Sequence, residues 1–250
     1  MYLKPKKNLG QHFLNSEKIS QDIVNSVNFD LNTNIIEVGP GMGALTKFII
    51  QKANNVTLVE LDEDSINFLK FTYPGVEIIH ADFLKFTFNK HIQYTVIGNF
   101  PYNISSQIVF KIIENRCNIL ESVGMFQKEV AKRICSKPKS KSYGILSVIL
   151  QAYYDCHYLF DVEAMHFNPR PKVQSGVVSL VRHTDNLNVK HSSFVHVVKV
   201  AFNQRRKKLK NSLKIFSNLD CINLELTLSK RAEELSVSDY INLTKVIFPN

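Results

Sequence analysis

The sequence predicts an α/β fold, in which a parallel sheet is covered by helices on both faces, followed by a small all-helical domain. Two observations lead to this prediction. Short apolar runs with strand character alternate with segments whose apolar residues recur at helical spacing. After a polar stretch at 183–190, only the helical pattern continues. The predicted domains are therefore 1–183 and 184–250.

The elements follow in chain order. An amphipathic helix is predicted over 17–28, because apolar residues recur there at helical spacing. The next apolar runs predict five parallel strands, at 35–38, 56–61, 76–80, 95–98 and 122–126. Helical patterns predict helices near 43–53, 63–71, 104–115, 127–136 and 143–154. Two further strands, 158–162 and 176–182, are expected to pair antiparallel at one edge of the sheet.

Composition limits the class of protein. Hydrophobic residues make up 44% of the 250 residues and charged residues 21%, which is typical of a globular domain with a full core. The formal net charge of +9 suggests a polyanionic partner, either nucleic acid or an acidic membrane surface. A general lysine bias is the alternative, since most of the cations are lysines. Composition alone does not separate the two.

The cysteines and the N-terminus indicate the compartment. Cys117, Cys135, Cys156 and Cys221 are far apart and form no CxxC pair, so we expect neither a metal site nor a disulfide framework. Residues 1–14 contain lysines but no apolar run, unlike a signal peptide. No apolar stretch approaches the length of a membrane span. These features predict a cytoplasmic protein without a membrane partner.

A glycine loop lies between the first predicted strand of the sheet and the next helix. Gly39, Gly41 and Gly43 lack a Cβ and so allow close approach of the backbone to a ligand. The spacing overlaps the dinucleotide fingerprint, with Ala44 at its last position. A nicotinamide-dependent enzyme therefore has to be weighed against other cofactor classes.

Three carboxylates stand at or near the ends of successive predicted strands. They are Glu37, Glu60 and Asp82, and such strand ends converge on one crevice in a parallel sheet. A carboxylate beside the glycine loop would repel a pyrophosphate but attract a cation. S-adenosylmethionine carries a sulfonium and an ammonium and no phosphate, so the set favours that cofactor. Each carboxylate alone is equally compatible with a solvated loop residue.

The sequence Asn99-Phe100-Pro101-Tyr102 follows another apolar strand and suits a flat base. Pro101 restricts the backbone of Phe100, so the Asn99 side-chain oxygen and the Phe100 carbonyl can both accept from one amino group. Two acceptors localise the lone pair of an adenine N6 as it attacks, an effect that grows in the transition state. Tyr102 is expected to stack on the base. Taken alone, the tetrapeptide is better explained as a structural turn with a core tyrosine; the glycine loop and carboxylates reverse that preference.

Five segments in this order resemble the small-subunit ribosomal RNA adenine dimethyltransferases. They are 7–14, Lys-Asn-Leu-Gly-Gln-His-Phe-Leu; 37–41, Glu-Val-Gly-Pro-Gly; 99–105, Asn-Phe-Pro-Tyr-Asn-Ile-Ser; 167–173, Phe-Asn-Pro-Arg-Pro-Lys-Val; and 202–207, Phe-Asn-Gln-Arg-Arg-Lys. The macrolide-resistance methyltransferases of large-subunit RNA are similar in only some of these segments. The resemblance implies a Rossmann-like class I S-adenosylmethionine-dependent methyltransferase sheet.

The resemblance also implies the reaction and its residues. The enzyme would dimethylate N6 of two adjacent adenines in the 3′-terminal hairpin loop of small-subunit RNA. Phe167 would stack on the target base opposite Tyr102, completing a catalytic group with Asn99, Phe100 and Pro101. Glu60 is expected to accept both ribose hydroxyls of the cofactor. The implied S-adenosylmethionine contacts are His12, Leu14, Gly39, Gly41, Glu60, Leu61, Asp82, Phe83 and Asn99.

Two positions depart from the commonest family pattern. His12 replaces an asparagine and Phe100 replaces a leucine. The imidazole of His12 can still donate or accept a hydrogen bond, so we expect at most a mild effect on cofactor binding. Phe100 is expected to act through its backbone and to be tolerated.

A basic segment lies in the predicted helical domain. Its cations are Arg205, Arg206, Lys207, Lys208 and Lys210, and we predict that they contact RNA phosphates. A solvated helix face, or arginines paired with carboxylates, is the alternative. Lys137, Lys139 and Lys141 form a second candidate. No metal site is expected, because His80, His91, His157 and His166 show no metal-ligand spacing.

The partner expected is the small ribosomal subunit with its RNA, bound by a monomer with a role in subunit biogenesis. A non-catalytic RNA-binding assembly factor on the same fold remains an alternative, as does a large-subunit methyltransferase of the macrolide-resistance type. The presence of Glu60, Asp82, Asn99 and Tyr102 favours the enzyme.

Overall fold

A computed structural model describes residues 3–29, 33–184, 186–216 and 225–249. The chain forms two compact units. The first contains Met1–Ala131 and Asp155–Arg182, and the second contains Lys132–Tyr154 and His183–Asn250. The second unit thus begins near the predicted boundary at 184 and also takes in 132–154, which the prediction placed in the first domain. The functions assigned to the two domains stay predictions.

The first unit is built on a seven-stranded sheet with the strand order β4-β3-β2-β5-β6-β9-β7. Strands β2 to β6 pair in parallel, and β9 pairs antiparallel with β6. A separate two-stranded sheet pairs β1 with β8 antiparallel. The strands are β1 Phe13–Leu14, β2 Asn34–Val38, β3 Asn55–Glu60, β4 Glu77–His80, β5 Tyr94–Asn99, β6 Ile119–Gln127, β7 Tyr154–Val162, β8 Phe167–Asn168 and β9 Ser175–Arg182.

Helices flank the strands of this unit. They are α1 Glu17–Asn25, α2 Thr46–Ile49, α3 Glu63–Thr72 and α4 Ser105–Glu114. The helix α5 Lys128–Ile134 starts at the end of β6, and its last three residues belong to the second unit. Ser16 caps α1 by accepting a hydrogen bond from the Ile19 amide at 3.4 Å. The buried face of α1, with Ile23 and Val24, joins a core that includes Ile35 of β2 and Ile97 of β5.

The predicted strand alternation is confirmed, and β7 and β9 are neighbours at one edge of the sheet. The helix predicted at 43–53 is much shorter than expected. Gly43 has φ of +75°, which is outside the helical region, and residues 50–52 form turns before β3. Residues at the start of the predicted helix therefore belong to the glycine loop instead.

The second unit is helical in the part that the structure describes. Its helices are α6 Ile145–Gln151, α7 His191–Asn203, α8 Leu209–Ser212, α9 Glu225–Ser229 and α10 Val237–Ile247. The helices α6 and α10 pack on α7, where the rings of Phe202 and Tyr240 stack at a centroid distance of 6.0 Å. Cys221 lies outside the described residues. Within the described ranges, no helix combines the length and apolarity needed to cross a membrane.

Candidate active site

One cavity of about 600 Å³ lies at the carboxyl ends of the parallel strands, within the first unit. This volume falls in the range of small-molecule sites, roughly 300–1,000 Å³. The cavity brings together every residue predicted to contact the cofactor and four of the five predicted catalytic residues. The residues concerned are His12, Leu14, Gly39, Gly41, Glu60, Leu61, Asp82, Phe83, Asn99, Phe100, Pro101 and Tyr102.

The glycine loop is held against the end of β3. The Gly41 amide donates to Glu60 Oε2 at 3.0 Å, and Gly41 has φ of +56°. A Cβ at this position would lie 2.8 Å from a ring carbon of Phe13. Glycine is therefore required at residue 41 both by its left-handed conformation and by the N-terminal segment that packs on it.

Glu60 is buried and already accepts three backbone hydrogen bonds. Besides Gly41 on Oε2, the Leu61 and Asp62 amides donate to Oε1 at 2.8 and 2.9 Å. A carboxylate offers about four acceptor positions, so roughly one, on Oε2, is left for a ligand. We therefore expect Glu60 to accept one ribose hydroxyl rather than the two that the sequence suggested.

Glu37 is a buried acid at the end of β2 and lines the same cavity. Thr46 Oγ1 donates to Glu37 Oε2 at 2.6 Å. Burial raises the pKa of Glu37 to about 8; the hydrogen bond from Thr46 opposes this shift, and the nearby Glu60 carboxylate adds a smaller upward contribution. The side chain is therefore mostly protonated at pH 7 and does not supply the fixed negative charge that the sequence suggested beside the loop. Burial also raises the pKa of Glu60, although the three backbone hydrogen bonds that it accepts favour its charged form.

An ion pair and a hydrogen bond hold the N-terminal segment against the loop after β3. Asp62 pairs with the ammonium of Lys6 and accepts from Gln11 Nε2 at 3.1 Å. Lys6 also pairs with Asp64 at 2.7 Å. Burial acts to raise the pKa of Asp62, but the bonds from Lys6, Gln11 and Ser65 outweigh it and hold that pKa below its usual value. An ionised Asp62 thus fixes the chain that forms one wall of the cavity.

Asn99 lies at the end of β5 with a defined orientation. Its Nδ2 donates to the carbonyl oxygen of His12 at 2.8 Å, which leaves Oδ1 as the acceptor at the cavity. Phe100, the residue that departs from the family pattern, is fully buried. Its ring fills the space left by Gly98 and Gly124, where a Cβ would lie 2.9 and 2.0 Å from it. The larger side chain is accommodated by these glycines, and the backbone of Phe100 remains at the cavity.

Tyr102 is held from two directions. Its hydroxyl hydrogen-bonds with Ser175 Oγ at the start of β9, and its ring stacks on the His12 imidazole with centroids 5.2 Å apart and 28° between the planes. His12 Nδ1 is 2.7 Å from the carbonyl oxygen of Pro169. These contacts fix an aromatic face at the cavity beside Asn99.

Phe167 does not join this group in the structure. Its side chain is 2% exposed and belongs to the hydrophobic core of the first unit. It lies in β8, where Leu14 of β1 is its pairing partner. Stacking of Phe167 on a base would require it to leave the core, and its predicted role remains a prediction.

The basic segment in the second unit divides into two kinds of residue. Arg205 pairs with Glu233 and donates from Nη2 to the Lys141 carbonyl at 2.7 Å, so it links the segment to the loop at 137–141. The Lys139 amide donates to the Glu233 carbonyl at 2.7 Å. By contrast, the remaining predicted cations are exposed, namely Arg206, Lys207, Lys208 and Lys210.

Some contributors to the site were not identified from the sequence. Asp62, Pro169 and Ser175 orient residues from which they are separated by 56, 157 and 73 positions, respectively. No short motif encodes contacts at such separations. Among the described residues, no cluster of three or more His, Cys, Asp or Glu side chains is arranged to hold a metal ion.

The cavity fits S-adenosylmethionine better than a dinucleotide. Its lining contains Glu37, Glu60 and Asp82 near the strand ends, whereas its one lysine, Lys47, is paired with Glu17. Carboxyl groups suit the sulfonium and ammonium of this cofactor and are unfavourable neighbours for a pyrophosphate. The half-exposed Leu61 offers apolar surface for a nucleobase.

Comparisons with known proteins agree with this geometry. A protein of Flavobacterium johnsoniae named ribosomal RNA small subunit methyltransferase A is 48% identical over 98% of this chain and 96% of its own length. The crystal structure of a dimethyladenosine transferase from Plasmodium falciparum is similar with a TM-score of 0.84 and 23% identity, over 94% of this chain and 99% of that one. The 23S rRNA methyltransferase ErmE gives a TM-score of 0.74 at 22% identity, with the same coverage. The two structures confirm the predicted fold.

The family comparison extends over almost the entire sequence. The profile described as "Ribosomal RNA adenine dimethylase" matches residues 2–248. The protein is accordingly an enzyme of the methyltransferase class, and S-adenosylmethionine is its cofactor. With its glycine loop, strand-end carboxylates and Asn-Phe-Pro-Tyr turn all at one cavity, the chain belongs to the ribosomal RNA adenine dimethylase family.

Proposed function

We propose that this enzyme dimethylates N6 of two adjacent adenines in the 3′-terminal hairpin loop of small-subunit ribosomal RNA. The observation that carries the proposal is the geometry of Asn99, whose amide nitrogen is held by the His12 carbonyl so that Oδ1 remains as an acceptor. The name of the Flavobacterium relative, which specifies the small subunit, favours this target over large-subunit RNA.

The chain's own residues prepare the adenine amino group for attack. Oδ1 of Asn99 and the carbonyl of Phe100 accept its two hydrogens, which favours a pyramidal nitrogen with a localised lone pair. The ring of Tyr102 stacks on the base and aligns that lone pair with the cofactor pocket. S-adenosylmethionine, when bound, supplies an activated methyl group on a sulfonium. No general base is needed, because the methylated amine loses its extra proton readily.

The second unit is proposed to contact RNA phosphates through exposed cations. Arg206, Lys207, Lys208 and Lys210 supply one part of this surface, and the loop at 137–141 supplies the other. Arg205 and Glu233 support the proposal indirectly, since they join the two segments. Arg205 thus stabilises the surface by holding its two segments together, whereas the lysines bind RNA phosphates and release the counterions condensed on them.

The proposal further includes a monomeric enzyme that acts in the cytoplasm during assembly of the small subunit. A non-catalytic assembly factor would need neither a cofactor cavity nor an oriented Asn99, so the intact cavity supports the enzyme. Binding of S-adenosylmethionine to the purified protein, measured together with methyl transfer, checks this directly.

The test is methyl transfer to small subunits isolated from cells that lack this modification. Wild-type protein should yield N6,N6-dimethyladenosine in the 3′-terminal hairpin, identified by mass spectrometry of RNA fragments. Asn99→Ala should lower the single-turnover rate by about 10²-fold or more, by analogy with loss of an oxyanion-hole donor.

A matched control is Asn54→Ala, which removes an exposed amide before β3 and should leave the rate unchanged. A wild-type rate in Asn99→Ala would refute the role given to Asn99. Cofactor binding without any methylated adenine in the wild-type reaction would refute the proposed function.

A further inference from the structure

His12 makes three contacts at the active site, two with the Asn99–Tyr102 turn and one with Pro169. Its carbonyl accepts from Asn99, its ring stacks on Tyr102, and its Nδ1 lies 2.7 Å from the Pro169 carbonyl oxygen. A carbonyl oxygen only accepts hydrogen bonds, so Nδ1 must carry a hydrogen and donate it. The imidazole is therefore tethered on one side and stacked on its face.

We infer that His12 is a positioning residue, which sets the orientation of Asn99 and Tyr102 for the target adenine; this inference rests on the proposed function. The tether to Pro169 fixes the backbone of residue 12 and hence the carbonyl that orients the Asn99 amide. The family resemblance implied only a contact between residue 12 and the cofactor, and the structure gives the side chain a different task.

The stacking distance determines which face of Tyr102 is available to the base. Ring centroids 5.2 Å apart belong to a directly stacked pair and leave no room for a third ring between them. The adenine therefore uses the face of Tyr102 opposite His12. His12 supports the ring from behind, while the Ser175 hydroxyl holds its outer end.

The substitution from the commoner asparagine to histidine has a physical consequence. An asparagine amide can donate to a carbonyl such as that of Pro169, but it offers no ring to stack on Tyr102. In this chain, imidazole provides both contacts. Variants at residue 12 can therefore distinguish the effect of the hydrogen bond to Pro169 from the effect of stacking on Tyr102.

The experiment compares His12→Ala, His12→Asn and His12→Phe, with His91→Ala as an exposed histidine control. Tyr102 carries a 3-fluorotyrosine label, whose ¹⁹F resonance reports ring packing without cofactor or RNA. Cofactor affinity is measured by calorimetry, and the single-turnover rate on undermethylated small subunits is measured at saturating cofactor.

His12→Ala should displace the ¹⁹F resonance and lower the rate by about 10-fold or more, with cofactor affinity unchanged within about twofold. His12→Phe should restore most of the ¹⁹F shift and raise the rate above that of His12→Ala, whereas His12→Asn should leave the resonance displaced. The control should behave as wild type.

An unchanged ¹⁹F resonance in His12→Ala would overturn the inference. The inference would also be overturned if His12→Ala bound the cofactor more weakly but reacted at the wild-type rate at saturating cofactor, because that result is expected if His12 only contacts the cofactor. If the wild-type protein methylates no adenine but the ¹⁹F resonance responds as expected, the proposed function fails while the packing of His12 on Tyr102 stands.

Discussion

Glu60→Gln tests how the cofactor loop is held together. The substitution preserves size but replaces one acceptor oxygen by an amino group. If the remaining oxygen takes the place of Oε1, the Leu61 and Asp62 amides keep their acceptor and the Gly41 amide loses its own. The opposite orientation sacrifices two bonds, so the first should dominate.

The magnitude follows from that lost bond. A hydrogen bond to a charged acceptor contributes about 1.5–3 kcal/mol. For a protein of this size, a loss of 1 kcal/mol lowers Tm by roughly 2–4 °C, which gives an expected fall of roughly 3–12 °C. Affinity for S-adenosylmethionine should fall by about 1–3 kcal/mol, or about 5- to 150-fold, because the loop loosens and the remaining ribose acceptor changes.

Calorimetry and thermal unfolding on the same preparations measure both effects. Glu63→Gln is the control, since Glu63 is exposed in the first turn of α3 and its substitution should change stability by less than about 0.5 kcal/mol. Unchanged Tm together with unchanged affinity in Glu60→Gln would refute the hydrogen-bonding argument. A lower Tm with unchanged affinity would mean that the ribose is held elsewhere.

Two further predictions concern charge. Lys207→Ala with Lys208→Ala should weaken binding to small subunits and leave cofactor affinity unchanged. The logarithm of the binding constant should also fall less steeply with the logarithm of the salt concentration, by a slope of roughly 0.7 to 0.9 for each of up to about two lost phosphate contacts. Lys70→Ala with Lys90→Ala removes the same charge as a control, and an unaltered slope in the Lys207 and Lys208 variant would assign these residues to a solvated face. Glu37 favours the folded state below its ordinary pKa of 4.5, and this stability is lost as pH rises towards about 8. The Tm of the wild type should therefore decline between pH 5 and 8. Glu37→Gln should make this decline shallower, because glutamine resembles the protonated acid that faces Thr46, Glu60 and Tyr73. A decline as steep as in the wild type would contradict the raised pKa of Glu37.

The strand ends were predictable from the sequence because parallel sheets obey a simple geometric rule. Once the strands predicted at 35–38, 56–61 and 95–98 were located, their carboxyl ends had to meet at one edge. The apolar pattern and the turn residues were sufficient for that. The cavity at this edge contains the predicted cofactor residues for the same reason.

Protonation and long-range partners were not predictable in this way. The pKa of Glu37 depends on complete burial, which requires the packed core, and a carboxylate at a loop looks the same in the sequence whether it is buried or solvated. Likewise, Phe167 was expected at the base through family resemblance, whereas its partner Leu14 and the core around it appear only in three dimensions. Similarly, the ion pair between Arg205 and Glu233 depends on tertiary structure, because the two residues are far apart in the sequence and no local pattern pairs them.

The short pairing of β1 with β8 has a consequence for synthesis. Residues 13 and 14 find their partners at 168 and 167, and His12 finds its acceptor 157 positions later. During translation, the β1–β8 pairing and the contact between His12 and Pro169 therefore cannot form until more than half of the chain has been synthesised. Until then, the N-terminal wall of the cavity is held only by contacts with earlier parts of the chain, such as those with Asp62 and Asn99. Contacts so distant along the sequence form late, since loop closure must precede them. Acquisition of cofactor binding by nascent chains of increasing length would thus mark the completion of the first unit, and chains that end before residue 167 should lack it.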